Sequence, residues 1–118
     1  MTDATDARRW IDDRRAAVRE RLAEIEARLA VVRVARGDWT DEEHDPEGFA
    51  LTFEWQHAEG SRAQHLAELR ELDRADDRLA SGGYGRCARC GQPIPPAQLA
   101  LRPARETCVA CADGHGRR

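Results

Sequence analysis

Ile11, Val18, Leu22, Ile25, Leu29 and Val32 recur at intervals of 7, 4, 3, 4 and 3. That spacing confines the first third of the chain to a helix with one apolar stripe. Arg15 occupies the position that the first interval skips. No Pro or Gly interrupts the segment before Gly37, so a helix is expected from about Thr5 to Arg36. Thr5 or Thr2 would cap its start and Gly37 would stop it. A second run, Leu51, Trp55, Ala58, Arg62, His65, Leu69, Leu72, Asp76 and Leu79, repeats the 4-and-3 spacing. Asp45-Pro46 offers an N-cap and a first-turn Pro, and Gly82-Gly83 after Ser81 offers the end. Gly48 and Gly60 each weaken this second helix by roughly 1 kcal/mol against Ala, so fraying is expected near Gly48.

In an antiparallel pair of helices, facing residues have numbers with a constant sum. Pairing Val32 with Leu51, Leu29 with Trp55, Ile25 with Ala58, Val18 with His65 and Ile11 with Leu72 gives 83 or 84 throughout. Two separately read patterns thus agree on one register. The expected fold is mainly α: a long antiparallel two-helix coiled-coil hairpin over 1–81, turning near residue 42, followed by a small C-terminal module over 82–118. At ~1.5 Å per residue each arm spans roughly 45 to 50 Å. The composition agrees, because 5% aromatic and 35% charged residues in 118 leave little material for a large round core. Arg62 is expected to lay its stem on the seam and reach Glu20 or Glu24, with His65 partly exposed. His44, His57 and His115, like His65, have no second ligand in view and are read as ordinary solvated side chains.

The turn is acidic. Asp38, Asp41, Glu42, Glu43, Asp45 and Glu47 fall there with no Arg or Lys among them, and Trp39 is expected to pack on the end of the seam. The net charge of −3 by itself selects no partner. All 19 basic residues are Arg, read mainly as the coding bias of a GC-rich genome, and every basic contact is therefore made by a planar, forked donor. The N-terminus carries charge and no apolar h-region, so no secretory signal is expected. No apolar run approaches the ~18 residues that span a membrane. A cytoplasmic, reducing setting follows, in which four cysteines point to a metal rather than to disulfides.

Those cysteines are Cys87-x2-Cys90 and, after seventeen residues, Cys108-x2-Cys111. Each C-x2-C pair turns back so that two sulfurs meet one ion, and the spacing fits one tetrahedral Zn²⁺. Four thiolates leave no open position for water, so the zinc is expected to be structural and no enzymatic activity is expected. A rubredoxin-like iron site or two disulfides are the alternatives. Gly91 should close the first knuckle and help to aim N–H groups at a thiolate. Ile94, Leu99 and Leu101 should form a small cover for the site. Arg86, Arg89, Arg102, Arg105, Arg117 and Arg118 make this end basic, partly to neutralise the two negative charges of a Zn(Cys)4 centre.

The stretch GGYGRCARCGQPIPPAQLALRPARETCVACA behind a helical hairpin resembles the DksA/TraR family of C4-zinc-finger transcription regulators. The resemblance lies in the Gly-Tyr-Gly approach, both knuckles, Ile94-Pro95, and Leu99 to Arg102-Pro103. It is carried by residues 82–112, and the architecture extends it over the hairpin. The Arg-only, Ala-rich composition fits a divergent, actinobacterial-type member. The resemblance implies binding to RNA polymerase without sequence-specific DNA recognition. The coiled coil would enter the secondary channel and the acidic tip would approach the active centre, often together with guanosine tetraphosphate. The family's tip motif, Asp-x-x-Asp-x-Ala, aligns with Glu42-x-x-Asp45-x-Glu47. Asp41 or Asp38 is an alternative first acid, and Glu47 stands where the family has Ala. The expected polymerase-binding residues are accordingly Asp41, Glu42, Asp45 and Glu47. Two other readings compete: a zinc-stapled adaptor for an unrelated partner, and a Gre-like stimulator of transcript cleavage whose tip acids hold a second Mg²⁺.

Overall fold

The computed structural model describes residues 2–37 and 46–114, with side chains for 2–35 and 50–114. The elements follow in the order α1 (Ala4–Gly37), α2 (Pro46–Ser81), α3 (Pro96–Leu101) and α4 (Val109–Ala112). Arg86 and Pro93 form an isolated antiparallel bridge. The chain is mainly helical, with α1 and α2 paired as a hairpin. Among the described residues no helix is long and apolar enough to cross a membrane. The chain divides into two compact units, Met1–Ala17 with Glu68–Arg118, and Val18–Ala67.

The start of α1 and the end of α2 fall where local chemistry dictates. Asp3, rather than either expected threonine, caps α1: its carboxylate accepts the Thr5 N–H at 2.9 Å and its carbonyl accepts the Ala7 N–H at 2.9 Å. At the other end α2 runs unbroken through Gly48 and Gly60 to Ser81. There the Gly83 N–H reaches the Arg78 carbonyl at 2.8 Å and the Gly82 N–H reaches Leu79 at 3.4 Å. This is a Schellman stop, and Gly82 takes the positive φ of 86° that it requires.

In the unit Val18–Ala67, all five stripe residues of α1 that it contains are buried: Val18, Leu22, Ile25, Leu29 and Val32. Ile25, Leu29 and Ala58 form one cluster with Trp55 packed on it, which is the expected register. Val32 and Leu51 line one open surface groove together with Ala27, Arg28, Val31, Ala35 and Glu54. In the unit Met1–Ala17 with Glu68–Arg118, Ile11 and Leu72 are fully buried, as are Ala7 and Ala75. Ala75, not Asp76, is the buried residue between Leu72 and Leu79. A heptad permits 3-then-4 as readily as 4-then-3 after Leu72, and the carboxylate goes to the rim, where it finds cations.

The cations are Arg8, whose Nη1 donates to Asp76 at 2.5 Å, and Arg15, which pairs with Asp76 and with Asp73 at 3.2 Å. On backbone register alone Arg8 faces Asp76 and Arg15 lies two turns away. Helical side chains lean toward their own N-termini, so in an antiparallel pair Arg15 and Asp76 lean toward each other. The same lean explains why Arg62 reaches Glu26 at 3.6 Å rather than Glu20 or Glu24. Pairs that follow the register more closely are Arg14–Glu68 and Arg28–Glu54, whose residue numbers each add to 82. His65 is half-buried and its Nδ1–H donates to the Ser61 carbonyl at 2.7 Å.

Burial works against the Asp76 carboxylate, but hydrogen bonds from Arg15 and Arg8 outweigh it, and its pKa lies below the ordinary value of 3.8. A depressed carboxylate contributes stability above its unfolded pKa and loses it as pH falls through the folded one. Asp76→Asn should therefore lower the thermal midpoint at pH 7, by the equivalent of roughly 1 kcal/mol or less for a pair at the surface. The difference from wild type should shrink as pH drops below about 4. Circular dichroism melts at both pH values test this, and equal differences at pH 7 and pH 2.5 would remove the ion pair from the account.

Candidate metal centre

The metal centre is assembled by two knuckles from different local structures. The first is a tight hairpin, in which the Cys87 N–H donates to Gln92 O at 2.9 Å and the Ile94 N–H to Gly85 O at 2.7 Å. Gly91 closes it with φ of 75°. Its own N–H goes to the Cys87 carbonyl at 2.9 Å. Among the groups that reach a sulfur are the N–H of Cys90, 3.5 Å from Cys87 Sγ, and that of Cys108, 3.4 Å away. The second knuckle is the start of α4: Cys108 is its N-cap residue and Cys111 lies one turn on. Gln98 Oε1 accepts the Val109 N–H at 3.0 Å, which ties α4 to α3.

These turns bring Cys87, Cys90, Cys108 and Cys111 together, with their sulfurs all within 4.8 Å of one another. A tetrahedral Zn²⁺ with Zn–S of about 2.3 Å requires sulfurs about 3.8 Å apart, so the donor set fits one zinc ion. The four sulfurs converge on one point and no two are bonded, which is the arrangement of a metal site. When bound, zinc would act as a structural cross-link between the knuckles. Burial disfavours the Cys87 thiolate, yet the N–H groups of Cys90, Cys108 and Arg89 outweigh it and bring the pKa down to about 6. Cys111 is pushed up to about 12, by burial first and then by the neighbouring sulfurs of Cys108, Cys87 and Cys90.

The surroundings hold the knuckles in place. Ile94 and Leu99 are buried with Cys87 and Cys111, and Trp10 and Tyr84 pack on that cluster. Leu101 does not join the cover, being 82% exposed. Two residues along a helix is about 200°, so Leu101 and Leu99 face opposite ways. Trp10 was not anticipated; its signal is an aromatic beside stripe residue Ile11. Three arginines of the basic end hook knuckle carbonyls: Arg86 to Gly91 at 2.6 Å, Arg89 to Cys111 at 3.1 Å and Arg105 to Thr107 at 3.3 Å. Much of the positive charge read from the sequence is thus engaged around the centre. Of the acidic turn, Asp41, Glu42 and Asp45 lie outside the described residues. Glu47 belongs to the first turn of α2, with its side chain outside the described set.

Residues 82–116 match the family described as the prokaryotic dksA/traR C4-type zinc finger. An uncharacterized protein of Aquifex aeolicus (strain VF5) is 42% identical over 48 residues, 41% of this chain and 33% of that protein's own length. The match therefore spans a third of that relative. The structure of transcription factor DksA2 from Pseudomonas aeruginosa superposes with a TM-score of 0.53 at 23% identity, over 97% of this chain and 89% of that one. At this identity the superposition speaks to the fold, which is a helical hairpin carrying a cysteine-rich module.

Proposed function

We propose, from a chain that carries the DksA/TraR C4-type zinc finger on a two-helix hairpin, that it is a transcription regulator acting on RNA polymerase. In this reading residues 1–81 are the arm and 82–118 the finger. The acidic tip of Asp41, Glu42, Asp45 and Glu47 enters the secondary channel and modulates initiation from the cytoplasm, without enzymatic activity of its own. The observation that carries the reading is the family match of residues 82–116, supported by a fold that parallels DksA2 over 97% of the chain. The physics suits the role. Carboxylate fields are screened within about 8 Å at physiological salt, so an acidic group must be delivered bodily to a distant Mg²⁺ centre. A long paired hairpin is a means of delivery. Guanosine tetraphosphate is the effector to include in the assays.

The test is co-purification with core RNA polymerase together with initiation in vitro. The wild type should bind and shift initiation. Asp41→Asn, Glu42→Gln and Asp45→Asn combined should lose both effects while the helical signal stays. If the triple variant shifts initiation as the wild type does, the tip is not the effector.

A further inference from the structure

Arg78 stands near the end of α2, and its two ends do different things. Its carbonyl accepts the Gly83 N–H at 2.8 Å and the Ser81 hydroxyl at 3.2 Å, which fixes where the chain leaves the helix. Its guanidinium donates to the Ala104 carbonyl at 3.3 Å and pairs with Glu106 at 3.1 Å. The Glu106 carbonyl in turn accepts the N–H of Ala88, between the two cysteines of the first knuckle, at 2.8 Å. Tyr84 Oη donates to Pro103 O at 2.8 Å and braces the start of the same strap. Residues 103–106 lead directly into Cys108. One residue therefore serves both places: its backbone carbonyl holds the helix exit, and its side chain holds the strap that joins both knuckles.

We propose that Arg78 is a positioning residue for the metal centre. It holds the 104–106 strap against the end of α2 and so keeps Cys108 where its N–H meets Cys87 Sγ and its sulfur can share an ion. The bland reading is a surface ion pair of little consequence. The two readings separate because the contacts of Arg78 differ in kind. Glu106 has an exposed side chain, and an exposed carboxylate partner contributes little. The Ala104 carbonyl is a fixed, part-buried acceptor on the strap itself. Loss of the guanidinium should therefore matter much more than loss of the Glu106 charge. Outer partners of metal ligands typically change metal affinity by about 10- to 100-fold. Arg78 acts through backbone rather than on a ligand side chain, so the lower end, about tenfold, is expected.

The experiment titrates the full-length, metal-free chain with Co²⁺ against a competing chelator. The d–d bands of a tetrahedral thiolate site report occupancy, and helicity is recorded on the same samples. Arg78→Ala should weaken Co²⁺ binding about tenfold with the band positions and helical signal unchanged. Arg78→Lys should recover part of the loss, since an ammonium can reach one of the two acceptors. Glu106→Gln should stay close to wild type, as should Arg74→Ala, an exposed arginine one turn earlier. Wild-type affinity in Arg78→Ala overturns the proposal, and so does an equal loss in Arg74→Ala. Should Arg78→Ala lose helicity, Arg78→Lys decides: intermediate affinity on an intact helix supports the role, and wild-type affinity overturns it.

Discussion

Cys87→Ser is expected to reduce zinc affinity by roughly a hundred- to a thousandfold. Structural zinc sites bind with about 10–16 kcal/mol, and one ligand in four carries about 2.5–4 kcal/mol of that. Cys87 should be the most sensitive of the four. It is buried, and it is the sulfur on which the Cys90 and Cys108 N–H groups converge. A serine oxygen is a poorer zinc ligand, and without a thiolate those donors lose the charge they stabilise. The pH dependence separates loss of this thiolate from general damage. Zinc takes thiolates, so each thiol still protonated before binding must release its proton, and affinity falls as pH falls. Cys111, held up near 12, releases its proton across the whole neutral range. Cys87, at about 6, is already ionised at pH 7 and competes only in more acidic solution. The plot of log affinity against pH should therefore steepen by one proton below about 6 in the wild type. In Cys87→Ser that break should vanish. Competition titrations between pH 5 and pH 8 measure both quantities, and a break near 6 that survives the substitution would assign it to another group.

The parts of this molecule legible in the sequence are those set by backbone periodicity and covalent spacing. The stripe from Ile11 to Val32 is legible because a helix repeats every 3.6 residues whatever its partner. The register follows because two such stripes must face each other, and the cluster of Ile25, Leu29 and Ala58 with Trp55 agrees. The four ligands are legible because a C-x2-C turn brings its own sulfurs together. What escaped depends on where flexible side chains end. The Arg15–Asp76 and Arg62–Glu26 pairs are displaced along the helices by the lean of their side chains, so backbone register misplaces the partner. Asp3 displaced Thr2 and Thr5 as cap because several adjacent residues are all competent. The exposure of Leu101 depends on the phase of a six-residue helix, which so short a segment does not reveal by pattern. Trp10 and Arg78 bear on the metal centre from distant helix positions; Trp10 is marked only by its place beside Ile11, and no local motif marks Arg78.

Leu72→Ala should cost about 3 kcal/mol, the middle of the range for a fully buried leucine. Leu72 and Ile11 have no exposed surface, and the Arg15, Asp76 and Arg8 side chains meet at the rim of their layer. The cost is the lost transfer free energy of the removed carbons plus a term for the cavity left behind. Leu69, one turn earlier, is only partly buried, and Leu69→Ala should cost less, about 1–2 kcal/mol, because less apolar area leaves water in the native state. The comparison weighs burial against charge. Asp76→Asn should cost roughly 1 kcal/mol or less at pH 7, and Leu72→Ala should retain its full cost at pH 2.5, where the carboxylate contribution is reduced. Zinc-loaded and metal-free protein should be unfolded in parallel with urea in a Trp39→Phe, Trp55→Phe background, so that Trp10 is the one tryptophan left, monitored at 222 nm and by tryptophan fluorescence. Trp10 reports the metal cluster and Leu72 belongs to the same unit as that cluster. The Leu72→Ala loss should therefore appear in the Trp10 transition as well as in helicity. A loss confined to the helical signal, with the Trp10 transition unmoved, would mean that the base of the hairpin and the metal module unfold separately. The proposed role of Arg78 as the strut between them would then have to be confined to the strap.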